Sequence, residues 1–377
     1  MGDVSLLAVA LVLGLAFANG TNDVSKAVAT LVGSGVTVYR TAILWGTAWT
    51  VLGALAAGFL ASAMLKTFSS GLVDPLATLP PPLALSVLAG ATGWVLIASR
   101  TGLPVSTTHA LIGAIVGGGL MALGSQGLLW SGIVKTIALP LLVSPFLALI
   151  LTMVIHPLIR TLAQRWEGTC ICFMPPARAL VSIDPQGSTR TLFQTTAFGM
   201  PVASVPAQCD RAGLTGVVVG LDSIHWLSSG LASFARGTND APKIVAILLL
   251  GEVLSVWSPG TRGLAFAGVA VAMGLGSVCG GLRVTEVLAE KVTPMDHAEG
   301  LSANLTTSSI VLATAMVGLP VSTTHVSGSA IIGIGILRGW RTVRWTTVRD
   351  MVLAWIVTLP AAALLACLTY VFLLRWL

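Results

Sequence analysis

Gly-Leu-Pro-Val-Ser-Thr-Thr-His spans residues 102–109 and returns unchanged at residues 318–325, 216 positions later. A second motif, Gly-Thr-Asn-Asp at residues 20–23, returns at residues 237–240 after 217 positions. Because two motifs keep nearly the same spacing in both halves, they mark a duplicated unit and not a local accident of composition. The sequence therefore predicts two membrane repeats, residues 1–159 and 213–377, joined by a linker over residues 160–212.

Composition indicates that lipid is the solvent for most of the surface. Of the 377 residues, 9% are charged and 55% are apolar, and the mean hydropathy is +0.92. Apolar runs of spanning length recur along the chain, which excludes a soluble protein with a single anchor. The predicted fold class is an all-α polytopic membrane protein with broken transmembrane helices. Its predicted spans are residues 4–36, 41–64, 131–159, 214–256, 261–282 and 346–374.

Each half also contains two shorter apolar runs that meet at its Leu-Pro. They cover residues 83–98 and 105–123 in the first half, and 300–316 and 321–337 in the second. At about 1.5 Å per residue, these runs reach only about 24–28 Å, slightly less than a bilayer core. We therefore expect two re-entrant helical hairpins. Three net crossings per half would then give the second repeat an inverted topology.

The basic residues are consistent with this topology. With both termini outside and the linker cytoplasmic, twelve fall in cytoplasmic segments and five, namely Lys66, Arg100, Lys135, Arg262 and Arg375, fall outside, which satisfies the positive-inside rule. The net charge of +6 is explained by this scatter, so nucleic acid is not an expected partner. The linker is assigned no regular structure. Five cysteines lack metal-ligand spacing, and Cys170 and Cys172 are interpreted as ordinary thiols in preference to a metal clip.

The octapeptide itself predicts an interrupted helix. Proline lacks an amide hydrogen and disfavours helix for the residue before it, so one helix stops near Gly102 and another begins just after Pro104. Backbone amides at the start of the new helix attract anions. Two identical breaks at mid-membrane imply two helix starts that face one polar cavity. The predicted substrate-binding residues at these starts are Ser106, Thr107, Thr108, Ser322, Thr323 and Thr324.

Two alternatives remain open for these polar side chains. Serine and threonine in membrane helices also bond to their own backbone or to a neighbouring helix without binding substrate. His109 and His325, one residue further on, either donate to the anion or carry a proton, or they only brace the break.

The second motif places Asn22-Asp23 and Asn239-Asp240 inside apolar spans. A carboxylate there must face the interior and have a partner. Asparagine and carboxylate oxygens suit Na⁺, and an aspartate alone can bind and release H⁺, so these four residues are the candidate coupling-ion site. The alternative is a structural salt bridge, because Lys26 and Lys243 lie three residues after each aspartate.

Asp222 and His225 lie three residues apart in the predicted 214–256 span. A buried Asp-His pair is either a proton relay or a satisfied structural pair.

With both duplicated motifs in hand, the chain resembles the inorganic phosphate transporter (PiT) family, also called phosphate/sulfate permeases, over essentially the whole membrane portion. The resemblance implies an inverted-repeat fold, usually dimeric, that moves phosphate with Na⁺ or H⁺. By that likeness Asp23, Asp240 and the two Ser-Thr-Thr stretches line the phosphate site, and Asn22 and Asn239 help to hold the coupling ion.

The chain departs from many family members at Lys26 and Lys243, where they have asparagine. We hypothesise that one lysine ammonium acts as a built-in counter-charge, so that Na⁺ dependence is weakened or replaced by H⁺. Because of these departures, sulfate stays an alternative substrate, since it is an isosteric oxyanion with less need for a proton acceptor.

The sequence thus predicts a secondary active transporter of inorganic phosphate in the cell inner (plasma) membrane, coupled to H⁺ or Na⁺, with no other cofactor and no enzymatic activity. A sulfate or other oxyanion permease of the same fold is the alternative. A passive anion channel is a further alternative, although paired acidic motifs would oppose anion flow. An enzyme with nucleophilic Ser and His ranks third, because the Ser-Thr-Thr-His spacing sets no base against a nucleophile.

Overall fold

The computed structural model describes the chain except for residues 1, 74–78, 167–169, 174–180, 184–188, 192–200, 205–219, 250–258 and 377. The first half begins with a long helix that is interrupted at Val24, next to the repeated Asp23. A π-helical turn, Ile133–Ala138, leads into its last helix. Its helices are α1 (Gly2–Asp23), α2 (Ser25–Gly33), α3 (Tyr39–Leu60), α4 (Ser62–Ser70), α5 (Pro81–Thr101), α6 (Thr107–Leu123) and α7 (Leu139–Trp166).

The second half repeats this order, with one long helix in place of the first interrupted pair. Its helices are α8 (Leu221–Ala246), α9 (Pro259–Gly280), α10 (Leu282–Glu290), α11 (His297–Met316), α12 (Thr323–Arg338) and α13 (Trp345–Trp376). The start of the predicted second repeat at residue 213 and both ends of its predicted 214–256 span lie outside the described residues.

The linker contains short strands where no regular structure was expected. Cys170–Phe173 (β1) pairs antiparallel with Pro201–Ser204 (β4). Val181–Ile183 (β2) pairs antiparallel with Thr189–Thr191 (β3). Helix α7 also continues past the predicted end of the first repeat at residue 159. The described membrane part of the chain is helical as predicted, and the strands among the described residues lie in the linker.

Six described helical segments are long and apolar enough to cross a membrane. One of them is α5, which was predicted to be a short hairpin arm. With 21 residues it reaches about 31 Å, close to the thickness of a bilayer core. The prediction was too short because it began at Leu83, whereas Pro81 and Pro82 already form the first helical turn, where proline costs no hydrogen bond.

The helices of the two halves pack in a reciprocal pattern. α1 packs on α9 of the other half, and its counterpart α8 packs on α3. Likewise α5 and α6 pack on α13, while α11 and α12 pack on α7. Each half therefore covers the two helices on either side of the other half's break. The halves form one body with the two breaks near its centre.

Both helix breaks have the same local structure. Gly102 and Gly318 adopt positive φ values of 77° and 74°. The next amide in each loop bonds back into the helix, with Leu103 N–H to Ala98 O at 3.0 Å and Leu319 N–H to Thr314 O at 2.9 Å. This is a Schellman ending, which glycine allows without strain. The octapeptide therefore ends one helix and begins the next, as predicted.

Glycine in the other repeated motif allows close helix packing. A Cβ added at Gly20 would lie 2.1 Å from the carbonyl oxygen of Met273 on α9. At the equivalent Gly237 it would lie 2.3 Å from the carbonyl oxygen of Thr50 on α3. Small residues at helix crossings let membrane helices approach until their backbones touch. The repeated glycine thus positions the aspartate three residues later.

We predict that Gly20→Ala lowers the free energy of unfolding of the purified protein by about 1–3 kcal/mol, because the added methyl group overpacks the α1–α9 contact. Gly14→Ala on the same helix is the matched control, since its new Cβ would meet only Thr92 Cγ2 at 3.8 Å. Thermal unfolding in detergent measures both variants. Equal melting temperatures for the two would contradict this account of the repeated glycine.

Candidate functional site

Asn19 brings the two repeated aspartates together. Its Nδ2 donates to Asp23 Oδ2 at 3.0 Å and to Asp240 Oδ2 at 3.1 Å. It also lies 3.1 Å from Thr107 Oγ1, at the start of α6. All four side chains are buried. Residues from both halves and from one helix break therefore meet at a single amide.

Each aspartate also binds the lysine one turn further along. Lys26 Nζ donates to Asp23 Oδ1, to Asn22 Oδ1 at 2.9 Å and to the carbonyl oxygen of Val105 at 3.1 Å. The salt-bridge alternative for the motif is thus observed at this aspartate.

Lys243 repeats the arrangement in the second half. Its Nζ donates to Asp240 Oδ1 at 3.3 Å and to the carbonyl oxygen of Val321 at 3.2 Å. Its third acceptor, Thr108 Oγ1 at 2.8 Å, comes from the first half. Both lysines therefore join an aspartate to the unwound backbone of a helix break.

Arg236 is a third buried cation that the sequence interpretation missed. Its Nη2 donates to Thr50 Oγ1 at 2.6 Å, and its guanidinium interacts electrostatically with both Asp23 and Asp240. Within the described residues its Nε and Nη1 have no hydrogen-bond partner.

A signal for this residue was present in the sequence. Arg236 lies inside an apolar span, directly before the repeated Gly-Thr-Asn-Asp, whereas most basic residues lie at helix ends. Asn19 holds the equivalent position in the first half. The repeat does not mark either residue, because the two halves carry different residues at this position. The central charge cluster accordingly consists of Asn19, Asp23, Lys26, Arg236, Asp240 and Lys243.

The two helix breaks lie against each other beside this cluster. Ser106 and Ser322 cap α6 and α12, each accepting a bond at 3.2 Å from the amide of the histidine three residues on. Thr324 Oγ1 donates across the breaks to the carbonyl oxygen of Val105 at 2.7 Å. The predicted placement of the Ser-Thr-Thr stretches at the cap and first turn is confirmed.

The two asparagines of the Gly-Thr-Asn-Asp motifs brace the breaks. Asn22 accepts from the amide of Val105 at 3.2 Å and donates to the carbonyl oxygen of Leu103 at 3.0 Å. Asn239 donates to Asp240 Oδ1 at 2.8 Å and to the carbonyl oxygen of Val321 at 3.4 Å. The assignment of these two asparagines to a coupling ion stays a prediction.

The central charge cluster contains three cationic and two anionic side chains, so in its charged form it carries one net positive charge. Buried charge in a membrane protein requires compensation, and the positive ends of α6 and α12 add to the surplus. This electrostatic environment favours a bound anion.

His109 and His325 contact each other rather than the carboxylates. Their ring centroids are 4.5 Å apart, and the ring of His325 lies tilted against that of Trp355 with the centroids 4.1 Å apart. Both border an apolar cavity of about 800 Å³ between α7 and α13. These contacts match the bracing alternative more closely than an anion ligand, while a proton-carrying role stays a prediction.

The predicted buried Asp222–His225 pair is wrong. Helix α8 begins at Leu221, so Asp222 lies in its exposed first turn, where its carboxylate binds His297. His225 is fully buried, and in the described part of the chain neither of its ring nitrogens has a hydrogen-bond partner. The pairing failed because α11 brings His297 alongside the start of α8, which sequence spacing did not indicate.

The described residues combine six helical segments of spanning length with a buried charge cluster beside two interrupted helices, and this combination is typical of a membrane transporter. The model of the phosphate transporter family matches residues 19–366. The chain therefore belongs to the phosphate transporter family, and the predicted resemblance is confirmed. The family and the relatives below are transporters and permeases, so the chain is a transporter and not an enzyme.

Similar proteins cover nearly the whole chain. A protein of Pyrococcus abyssi named as a phosphate permease is 29% identical over 97% of this chain and 96% of its own length. One of Rhizobium meliloti named as a low-affinity inorganic phosphate transporter is 28% identical over 97% and 95%. Among solved structures, one titled the sodium-dependent phosphate transporter has a TM-score of 0.78 and 25% identity, with 100% of both chains covered.

We predict that Asn19→Leu destabilises the purified protein by about 2–3 kcal/mol, because it removes a buried donor that two carboxylates share. Asn304→Leu is the matched control, since Asn304 is equally buried but its amide has no partner among the described residues. Thermal unfolding in detergent compares them. Similar losses for both variants would show that Asn19 contributes only by its volume.

Proposed function

We propose that this protein is a secondary active transporter that moves inorganic phosphate across the cytoplasmic membrane, coupled to H⁺ or Na⁺. The observation that carries the proposal is the meeting of two helix starts, at Thr107 and Thr323, beside a buried charge cluster with a surplus positive charge. The names of the relatives and the family support phosphate as the substrate.

In this proposal the Ser-Thr-Thr hydroxyls and the first amides of α6 and α12 surround the anion. Asp23 and Asp240 accept hydrogen bonds from its hydroxyl groups. The anion needs hydrogens there, because a fully deprotonated oxyanion and the two carboxylates would all be acceptors, and no hydrogen bond could form between them. Monoanionic phosphate has two such hydrogens, and its single charge matches the surplus of the cluster. Sulfate has no hydrogen to donate and two charges. Phosphate is therefore the favoured substrate.

The burial of the site supports alternating access. Thr107, Thr108, Thr323 and Thr324 are at most 4% exposed, so an anion reaches them only when the protein changes conformation. We propose that the two repeats, 1–159 and 213–377, are inverted in the membrane and rock against each other about this site. A passive channel would instead require a continuous path past the hydroxyls.

The remaining assignments complete the proposal. Both termini lie outside, the linker 160–212 is cytoplasmic, and the protein forms a homodimer in the bilayer. The positions of the termini and the linker follow from the distribution of basic residues. The homodimer follows from the family resemblance.

We predict that Thr107→Val lowers phosphate affinity about 10-fold or more, because it removes a hydroxyl that would bond to a charged ligand. Thr152→Val is the matched control, as Thr152 is a buried α7 threonine whose hydroxyl has no described partner. Equilibrium binding of labelled phosphate measures both. A loss in Thr152→Val alone, or in neither variant, would contradict the proposed site.

Transport itself is tested in liposomes that contain the purified full chain. With imposed Na⁺ or pH gradients, a secondary transporter accumulates labelled phosphate above its external concentration, and excess unlabelled sulfate competes only weakly. Uptake that stops at equal concentrations under every gradient would indicate a channel. Competition by sulfate at the strength of phosphate itself would indicate a general oxyanion permease.

A further inference from the structure

Three of the four residues predicted to hold Na⁺, namely Asn22, Asp23 and Asp240, are already bound to ammonium groups. Na⁺ takes hard oxygen ligands such as carboxylates, amide oxygens and unwound backbone carbonyls. In the first half that set is Asp23 Oδ1, Asn22 Oδ1 and the carbonyl oxygen of Val105, and all three lie around Lys26 Nζ. In the second half Asp240 Oδ1 and the carbonyl oxygen of Val321 lie around Lys243 Nζ.

Both lysines have the geometry of the charged form. A protonated amine offers three hydrogens and no acceptor. Lys26 Nζ faces three oxygens, and Lys243 Nζ also faces three, the third being Thr108 Oγ1. A neutral amine would instead turn its lone pair towards one of these oxygens. Each nitrogen therefore sits as a cation in an oxygen shell.

The other oxygens of the set leave no second cation position. Asp23 Oδ2 and Asp240 Oδ2 both accept from Asn19 Nδ2. Among the predicted ion ligands in the described chain, Asn239 Oδ1 is the oxygen without a partner. A single amide oxygen does not make a Na⁺ site, which needs several oxygens at once. Asn19 Oδ1 is the other unpartnered amide oxygen at the cluster among the described residues. Neutral amide oxygens alone do not supply the carboxylate of the predicted site, so Na⁺ does not fit the predicted ligands as they are paired here.

We propose that Lys26 and Lys243 are tethered cations that occupy the two coupling-ion positions, so that phosphate binding by this chain does not require Na⁺. The inference rests on the proposed phosphate site and extends it by naming what sets its cation dependence. Positive charge that a Na⁺-dependent site would take up with the anion is here part of the protein.

The first test uses the wild-type full chain in detergent. Binding of labelled phosphate is measured in NaCl and in choline chloride of equal ionic strength, together with direct binding of ²²Na⁺. We expect phosphate affinities within about twofold of each other and no stoichiometric ²²Na⁺ binding. Phosphate affinity that falls 10-fold or more in choline, or one bound ²²Na⁺ per chain, would overturn the tethered cations.

Two matched double variants separate charge from space. Lys26→Ala with Lys243→Ala removes both ammoniums and opens their oxygen shells, so phosphate binding should fall 10-fold or more in choline and recover in NaCl. Lys26→Met with Lys243→Met removes the same charges but keeps the space filled, so binding should stay low in both salts. Na⁺-insensitive binding at wild-type strength in the alanine pair would overturn the proposal. If neither pair folds, the wild-type measurements decide alone.

Different results would contradict the proposed phosphate transport and the tethered cations. Wild-type protein that binds no phosphate in either salt would contradict the proposed function, and ²²Na⁺ binding would then still decide the cation question. Wild-type protein that binds phosphate only with Na⁺ would leave the proposed function in place and remove the tethered cations.

Discussion

Two carboxylates buried inside a membrane protein are the constraint on which this structure depends. Asp23 and Asp240 are 1% and 2% exposed, and an uncompensated charge in such surroundings would be expelled or neutralised. In this fold the two carboxylates are compensated by three cations and one bridging amide, and the unwound carbonyls of two helix breaks bind the lysines. The broken helices are therefore part of the electrostatic solution, because an intact helix would keep those carbonyls for itself.

Neither half of the chain completes this solution alone. Lys243 takes one of its acceptors, Thr108, from the first repeat. Thr324 of the second repeat bonds to the Val105 carbonyl of the first, and Ser327 donates to the backbone of Lys26 at 2.7 Å. Because these bonds cross between the repeats, any movement of one repeat against the other must alter the charge cluster. The same contacts that stabilise the buried charges thus couple the site to the conformation of the protein.

Most of the fold was predictable because its signals are local. Proline and glycine chemistry in the octapeptide locates both breaks to within a residue or two, and the repeat spacing reveals the duplication. The arrangement of the cluster was only partly predictable. Lys26 and Lys243 follow from helical spacing, whereas Asn19 and Arg236 occupy equivalent positions with different chemistry and leave no repeated pattern.

Two errors have the same physical origin, which is that contacts between distant segments outweigh local spacing. Asp222 pairs with His297 on a neighbouring helix instead of with His225 on its own. The linker residues 170–173 form a sheet with residues 201–204, although neither segment has a strong strand pattern of its own. Pairings between remote segments depend on tertiary packing, and a single sequence does not contain that information.

The ion pairs of the cluster also bear on how tightly a transporter of this kind can hold its substrate. Both lysine ammoniums are bound to aspartates, so most of their charge is compensated before the proposed anion arrives. Only the positive charge that the aspartates leave uncompensated would contribute to affinity. A carrier needs this balance, because an anion that met unpaired cations in a low-dielectric site would be bound too strongly to leave. In the proposed transporter, the aspartates would thus limit the positive charge that the anion meets and so limit how tightly it is held.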